Sequence, residues 1–306
     1  MELEACLPPD LHGATITRIA AGLSGAGVYR VETGTRAFVL KISAEPPAEW
    51  QRRVALLKLA SGAGVAPRVV YVDEARRAVV SEFVVDRGFM PLYFDPRTRE
   101  VAIGKLGRAI RRVHDLPLPP AGDAKDSVAF LATVWSSLAG FPVPAFVGDV
   151  VQRVLAESIP ACDRAPVPSH NDLNPTNLVY DGENLVFFDW DTAGPNDPFY
   201  DLATIAVFLR MDDATSAALI AAHDDAPVAP LPARFAYDRR LVAAICGTMF
   251  LRLARTQGHA GGATTLDETL GLGAAFQRMR AGTLTAASAE GQWVLGLALA
   301  KASASL

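Results

Sequence analysis

Ser169-His170-Asn171-Asp172-Leu173-Asn174-Pro175-Thr176-Asn177-Leu178-Val179-Tyr180, then a turn signal at Asp181-Gly182, then Leu185-Val186-Phe187-Phe188-Asp189-Trp190-Asp191-Thr192-Ala193, is the stretch that decides how this sequence is read. Its form is His-x-Asp-x-x-x-x-Asn, a short strand, a turn, a second strand and an aspartate. A hairpin folds the chain back on itself, so a carboxylate, an amide and a second carboxylate can converge on one point. Hard divalent cations take oxygen ligands, which lets Asn177 and Asp189 hold Mg²⁺ while Asp172 stays free to accept a proton. Taken singly, each of these residues is what a polar loop uses for Asx turns. Their order, spacing and flanking strands together match phosphoryl-transfer chemistry.

Upstream, Ala14–Ile19, Val28–Glu32, Ala37–Ile42, Val69–Val72 and Ala78–Val84 are short, β-branched and bounded by glycines or charges, and read as strands. Ala48–Ser61, which follows Pro46-Pro47, is the one helix among them. After residue 86 the texture turns helical. In Thr98–Leu116, Ile103, Leu106, Ile110 and Val113 recur at helical spacing. Helices are also expected over Ser127–Leu138, Val147–Glu157, Ala214–His223, Ala233–Leu253, Ala274–Arg280 and Ala289–Ala302, with short strands at Leu178–Tyr180 and Leu185–Phe188. The expected class is α+β, with an antiparallel sheet lobe over residues 1–85 and a larger, mainly helical lobe over 86–306.

Composition narrows the partners. The chain has 306 residues, half of them hydrophobic, with 29 basic against 33 acidic side chains and a net charge of −4. Scattered basic residues on a slightly acidic chain argue against a nucleic-acid groove, which needs a concentrated positive field. No window reaches the roughly 18 apolar residues of a membrane span, and the MELEACLPPD start has no signal-peptide pattern. Cys6, Cys162 and Cys246 are far apart and lack metal-ligand spacing, which fits ordinary buried thiols and a cytoplasmic location.

The amino-terminal sheet carries two more features of interest. Gly22-Leu23-Ser24-Gly25-Ala26-Gly27 joins two expected strands, and its glycines let backbone N–H groups approach phosphate oxygens. Without context the same run is a plain hairpin turn. In Ala37–Ile42, alternation puts Phe38, Leu40 and Ile42 on one face and Ala37, Val39 and Lys41 on the other, with Lys41 the only charge.

The sequence resembles the aminoglycoside phosphotransferase and choline kinase family, which has the two-lobed protein-kinase-like fold, over nearly its whole length. His170-x-Asp172-x4-Asn177 looks like the family's catalytic loop, and Phe188-Asp189-Trp190-Asp191 looks like its Ile-Asp-Trp/Phe-Glu motif. The segment from Gly194 to Ala203 is similar to its Gly-x-x-Asp-Pro-x-x-Asp-Leu-Ala run. The resemblance implies ATP and Mg²⁺ as cofactors. By it, Asp172 orients the substrate hydroxyl, Asn177 and Asp189 bind the metal, and Lys41 grips the nucleotide phosphates. Ser24 and Gly25 cover those phosphates, Val39 lies against adenine, and the backbone of Glu82 and Val84 bonds its edge. His170 and Asp201 are expected as packing and structural residues.

The helix glutamate that should pair with Lys41 falls, by counting back from Gly64-Val65-Ala66-Pro67, on Arg53, and Glu49 one turn earlier is the expected partner. Trp190 and Asp191, beside the metal aspartate, are the leading substrate-lining residues. The acidic residue two beyond Asp189 is similar to the choline and thiamine kinase side of the family. An amino alcohol is therefore the favoured acceptor. An antibiotic acceptor, a sugar or homoserine, and a nucleotide-binding pseudokinase without transfer, stay open. The implied partner is a small-molecule hydroxyl compound, with a cationic one permitted, acted on by a monomer or homodimer without nucleic acid or membrane.

Overall fold

The computed structural model describes residues 3–19, 27–118 and 125–306. The chain divides into two compact units: Met1–Asp123, Val167–Pro195 and Ala221–Ala226 form one, and Ala124–Pro166, Asn196–Ile220 and Pro227–Leu306 form the other. The first unit is built on a five-stranded antiparallel sheet of β1 (Thr15–Arg18), β2 (Gly27–Thr33), β3 (Arg36–Ile42), β4 (Val69–Asp73) and β5 (Ala78–Glu82), in the order β1-β2-β3-β5-β4. The expected α+β class is observed, and each expected strand of the amino-terminal sheet is present to within about two residues.

Alternation along β3 sorts the two faces as expected. Phe38 and Leu40 point into a core with Val31, Ala78 and Val80, and Cys6 and Leu11 from two 3₁₀ turns, with Leu7 between them, close it over. On the opposite face, α1 (Pro47–Gly62) lays Trp50 and Val54 against Val79. Val79 is the cross-strand partner of Lys41, and directly opposed residues share a face, so Lys41 stands on the helix side of the sheet.

The rest of this unit carries α2 (Phe89–Phe94) and α3 (Arg99–His114). The α3 stripe Ile103, Leu106, Ile110 and Val113 is buried, as its periodicity predicts. Strand β6 (Val167–Ser169) leads into the loop before β7 (Leu178–Tyr180) and β8 (Leu185–Phe187), which form the expected hairpin. Phe187 donates its N–H to the Val65 carbonyl at 2.8 Å, tying β8 to the turn after α1.

In the second unit the helices are α4 (Ser127–Ser136), α5 (Ala145–Ala156), α6 (Pro198–Phe208), α8 (Ala233–Thr256), α9 (Leu272–Arg280) and α10 (Ala289–Ser305). Short β9 (Gly194–Asn196) and α7 (Asp213–Asp224) run across the border between the units. Four elements, α2, β6, α6 and β9, escape the sequence pattern. In α6 every residue from Pro198 to Val207 is buried, so no polar face exists to give a period. Pro198 after the capping Asp197, whose carboxylate accepts from the Phe199 N–H at 2.8 Å, is its only start signal. The six residues of α2 and the three each of β6 and β9 are too short for any period. Among the described residues no helix is long and apolar enough to cross a membrane. Cys6 is fully buried, whereas Cys162 and Cys246 are only half-buried, short of the burial expected for all three.

Helices α8 and α10 approach through glycine. A Cβ on Gly296 would stand 2.9 Å from the Gly247 carbonyl oxygen and 2.7 Å from Leu251. Alanine normally gains helix propensity over glycine by about 1 kcal/mol. Here overpacking outweighs it, and Gly296→Ala is expected to lower stability by about 1–2 kcal/mol in urea unfolding.

A buried pair, His114 and His223, joins α3 to the end of α7 within the first unit: Nδ1 of His114 lies 2.9 Å from Nε2 of His223, whose Nδ1 meets Asp224 Oδ1 at 2.7 Å. Burial, reinforced by His114, lowers the His223 pKa to about 4. The folded ring therefore resists a proton that the unfolded chain accepts below its ordinary value near 6.5. Its contribution is complete above pH 6.5 and is lost as pH falls from there to about 4, a change on the order of 3 kcal/mol. Urea unfolding at pH 7.5 and 4.5 should show His223→Gln losing less stability on acidification than the parent by that amount. Equal losses would mean the ring is not held neutral.

Candidate active site

The loop between β6 and β7 is shaped by side-chain amides. Asn174 Oδ1 accepts from the Thr176 N–H at 2.9 Å, and its Nδ2 donates to Asp172 Oδ1 at 3.0 Å. From the start of β7, Asn177 Nδ2 donates to Asp172 Oδ2 at 2.8 Å and to the Asp172 carbonyl at 3.0 Å. Both carboxylate oxygens are thus aimed by a neutral donor. Each keeps lone pairs for a further hydrogen bond. Burial raises the Asp172 pKa against the opposing pull of the Asn174 bond, which makes the group a stronger base than a surface aspartate.

Two further bonds fasten this loop to the segment after β8. His170 is fully buried, its Nε2 lies 2.7 Å from the Phe188 carbonyl oxygen, and Asn171 Nδ2 donates to the Thr192 carbonyl at 3.0 Å. Both Asn171 (φ 65°) and Asp189 (φ 57°) adopt left-handed backbone, which aspartate and asparagine tolerate better than most residues. At Asp189 that turn swings the chain off β8 and sends its side chain towards β3. Lys41 Nζ donates to Asp189 Oδ1 at 2.8 Å and to Asp191 Oδ1 at 2.7 Å. The structure thereby joins a lysine on β3 to a carboxylate 148 residues away.

Electrostatics separate the two acids. Burial acts to raise the Asp189 pKa, but the charge and hydrogen bond of Lys41 outweigh it and hold the carboxyl below its ordinary value. Asp191 ends above its ordinary value, because burial and the neighbouring Asp189 exceed the pull of Lys41 and Arg53. Asp189 is thus the more readily ionised of the two. The donor set fits Mg²⁺: the Asn177 side-chain oxygen makes no hydrogen bond to the described residues, and Asp189 Oδ2 is not used by Lys41. Among the described residues no group of three or more His, Cys, Asp or Glu forms a closed metal site. Two hard oxygens suit an ion that keeps waters and phosphate oxygens in its shell.

Val39 lies on the same face as Lys41, opposite Ser81 on β5. At the end of β5, Glu82 donates its N–H to the Arg68 carbonyl at 2.9 Å and Phe83 to Ala37 at 3.0 Å, while Val84 makes no backbone bond among the described residues. Ser24 and Gly25 lie outside the described residues.

Two expectations do not survive. Glu49 is exposed on the first turn of α1, and no ion pair joins it to Lys41. Trp190, expected to line a substrate pocket, is 2% exposed, donates its indole N–H to the Phe187 carbonyl at 2.9 Å and packs edge-on to His170. It is a packing residue because both its ring and its donor are already used. Asp191 stays in the cluster, held by Lys41 and by Arg53, whose Nη1 lies 2.8 Å away.

The family description "phosphotransferase enzyme family" matches residues 15–240, well over half of the chain. Protein LicA of Haemophilus influenzae is 50% identical over 38 residues, which span 12% of this chain and only 14% of that protein. A choline/ethanolamine kinase family protein from Mesorhizobium loti superposes with a TM-score of 0.63 at 19% identity, covering 98% of this chain and 97% of its own. A spectinomycin phosphotransferase solved with ADP and spectinomycin superposes at 0.55 and 12% identity, covering 81% and 83%. These likenesses show a shared fold, the two-lobed kinase-like one.

Proposed function

The chain belongs to the phosphotransferase enzyme family, and from that membership we propose that it is an ATP- and Mg²⁺-dependent kinase that transfers the γ-phosphoryl group to a hydroxyl of a small molecule. The observation that carries this reading is the Lys41–Asp189 contact at 2.8 Å, beside an Asp172 carboxylate held by two amides. Phosphoryl transfer asks the protein for positioning and charge stabilisation, and this cluster offers both. In the proposal Asp172 accepts the hydrogen bond of the acceptor hydroxyl and orients it, and Lys41 holds the nucleotide phosphates. The oxygens of Asn177 and Asp189 hold the metal, which when bound neutralises phosphate charge. Adenine lies against Val39 and bonds the backbone of Glu82 and Val84, and Ser24 and Gly25 cover the phosphates. The functional division into a nucleotide-binding lobe, 1–85, and a catalytic and substrate-binding lobe, 86–306, and the cytoplasmic location, belong to the same proposal.

An amino alcohol such as choline or ethanolamine is the favoured acceptor, supported by the choline/ethanolamine kinase likeness. ADP release measured across choline, ethanolamine, thiamine, homoserine, sugars, aminoglycosides and macrolides tests the reading. Turnover with an amino alcohol above ATP hydrolysis is the expected result. Turnover with an antibiotic alone would replace the acceptor. ATP binding without any transfer would replace the enzyme with a nucleotide-binding protein.

A further inference from the structure

Lys41 has two acidic partners, and the proposed chemistry makes different demands on them. Asp189 has to serve a metal as well, so its hold on the ammonium is shared. Asp191 is the carboxylate left to aim Lys41. It lies within the 3₁₀ turn Trp190–Thr192, and what fixes its direction is a second cation from another element. Arg53 of α1 reaches Asp191 Oδ1 through Nη1 at 2.8 Å, the same oxygen that accepts from Lys41 at 2.7 Å. Its other terminal nitrogen donates to Ser43 Oγ at 2.8 Å and to Glu45. The Arg53 side chain is 5% exposed, so this is a shielded network rather than a surface pair.

Arg53 is held in turn by packing. Trp50 and Val54, on either side of it along α1, are buried against Val79 of β5, the cross-strand neighbour of Lys41. One helix face therefore sets both the sheet contact and the reach of the guanidinium.

We propose that Arg53 is a positioning residue for nucleotide binding, acting through Asp191, and that Asp191 is the anchor of Lys41 rather than part of the acceptor pocket. This rests on the kinase reading and assigns within it which side chains set nucleotide affinity. Asp191 so used has both cations on its Oδ1.

Binding of a non-hydrolysable ATP analogue with Mg²⁺, measured by calorimetry, tests the assignment in a double-mutant cycle. Arg53→Gln and Asp191→Asn are each expected to weaken analogue binding about tenfold, the scale of one charge-assisted hydrogen bond. The double variant should be no weaker than the weaker single variant, because Arg53 has nothing to position once Asp191 is gone. Arg53→Lys keeps the charge and should recover most of the affinity, and the acceptor KM should stay unchanged in all of them. If Arg53→Gln does not fold, Arg53→Lys in the parent and in the Asp191→Asn background closes the same cycle, with a small loss in the first and none in the second. Additive losses, or a raised acceptor KM with unchanged analogue binding, overturn the assignment while leaving the kinase reading intact. A parent chain that binds no analogue overturns both.

Discussion

Asp172→Ala is expected to reduce the single-turnover rate of phosphoryl transfer at least about 10²-fold, the lower end for losing a positioned base. Analogue binding should change far less than the rate, because Asp172 touches the nucleotide side of the proposed site only through the amide of Asn177. The size of the effect follows from how much structure is spent on one carboxylate. Asn174 and Asn177 each commit an Nδ2 donor to it, at 3.0 and 2.8 Å, and its pKa is raised by burial. A hydroxyl placed against such a group meets an oriented acceptor with enhanced basicity. Water in the space left by alanine could bond the two amides but would not be held in that direction. Rates matching the parent would remove Asp172 from the reaction.

The second large effect is on Lys41. Lys41→Ala takes away the cation shared by Asp189 and Asp191 and leaves two partly buried acids facing each other, with Arg53 touching only the second. Losing one preorganised charge of this kind costs about 10²–10³ in rate, so kcat/KM for ATP should fall by that range. Lys41→Arg should not restore it, since the planar fork of a guanidinium cannot occupy the point between two carboxylate oxygens that an ammonium fills. An unchanged kcat/KM for ATP in Lys41→Ala would mean that the ion pair is structural.

What could be read from the sequence was what depends on short-range order. The face of Lys41 follows from the two-residue period of a strand, and the meeting of Asp172 with Asn177 follows from their spacing and a hairpin. Arg53 was visible only as a residue of the wrong sign at the place where a glutamate was expected. Its meaning lies 138 positions away at Asp191, and nothing local links the two. Trp190 failed for a different reason. A tryptophan beside a polar motif is equally suited to lining a pocket or filling a core, and only burial against His170 separates those uses. The left-handed turn at Asp189 was also hidden, because aspartate gives no glycine signal for positive φ.

The seating of α1 bears on how such an enzyme could be governed. Swinging the helix outward would uncover Trp50, Val54 and Val79, at about 1.5–3 kcal/mol each, so the displaced form costs at least about 5 kcal/mol and is populated on the order of once in 10⁴ molecules. A helix so firmly seated is a poor on–off lever.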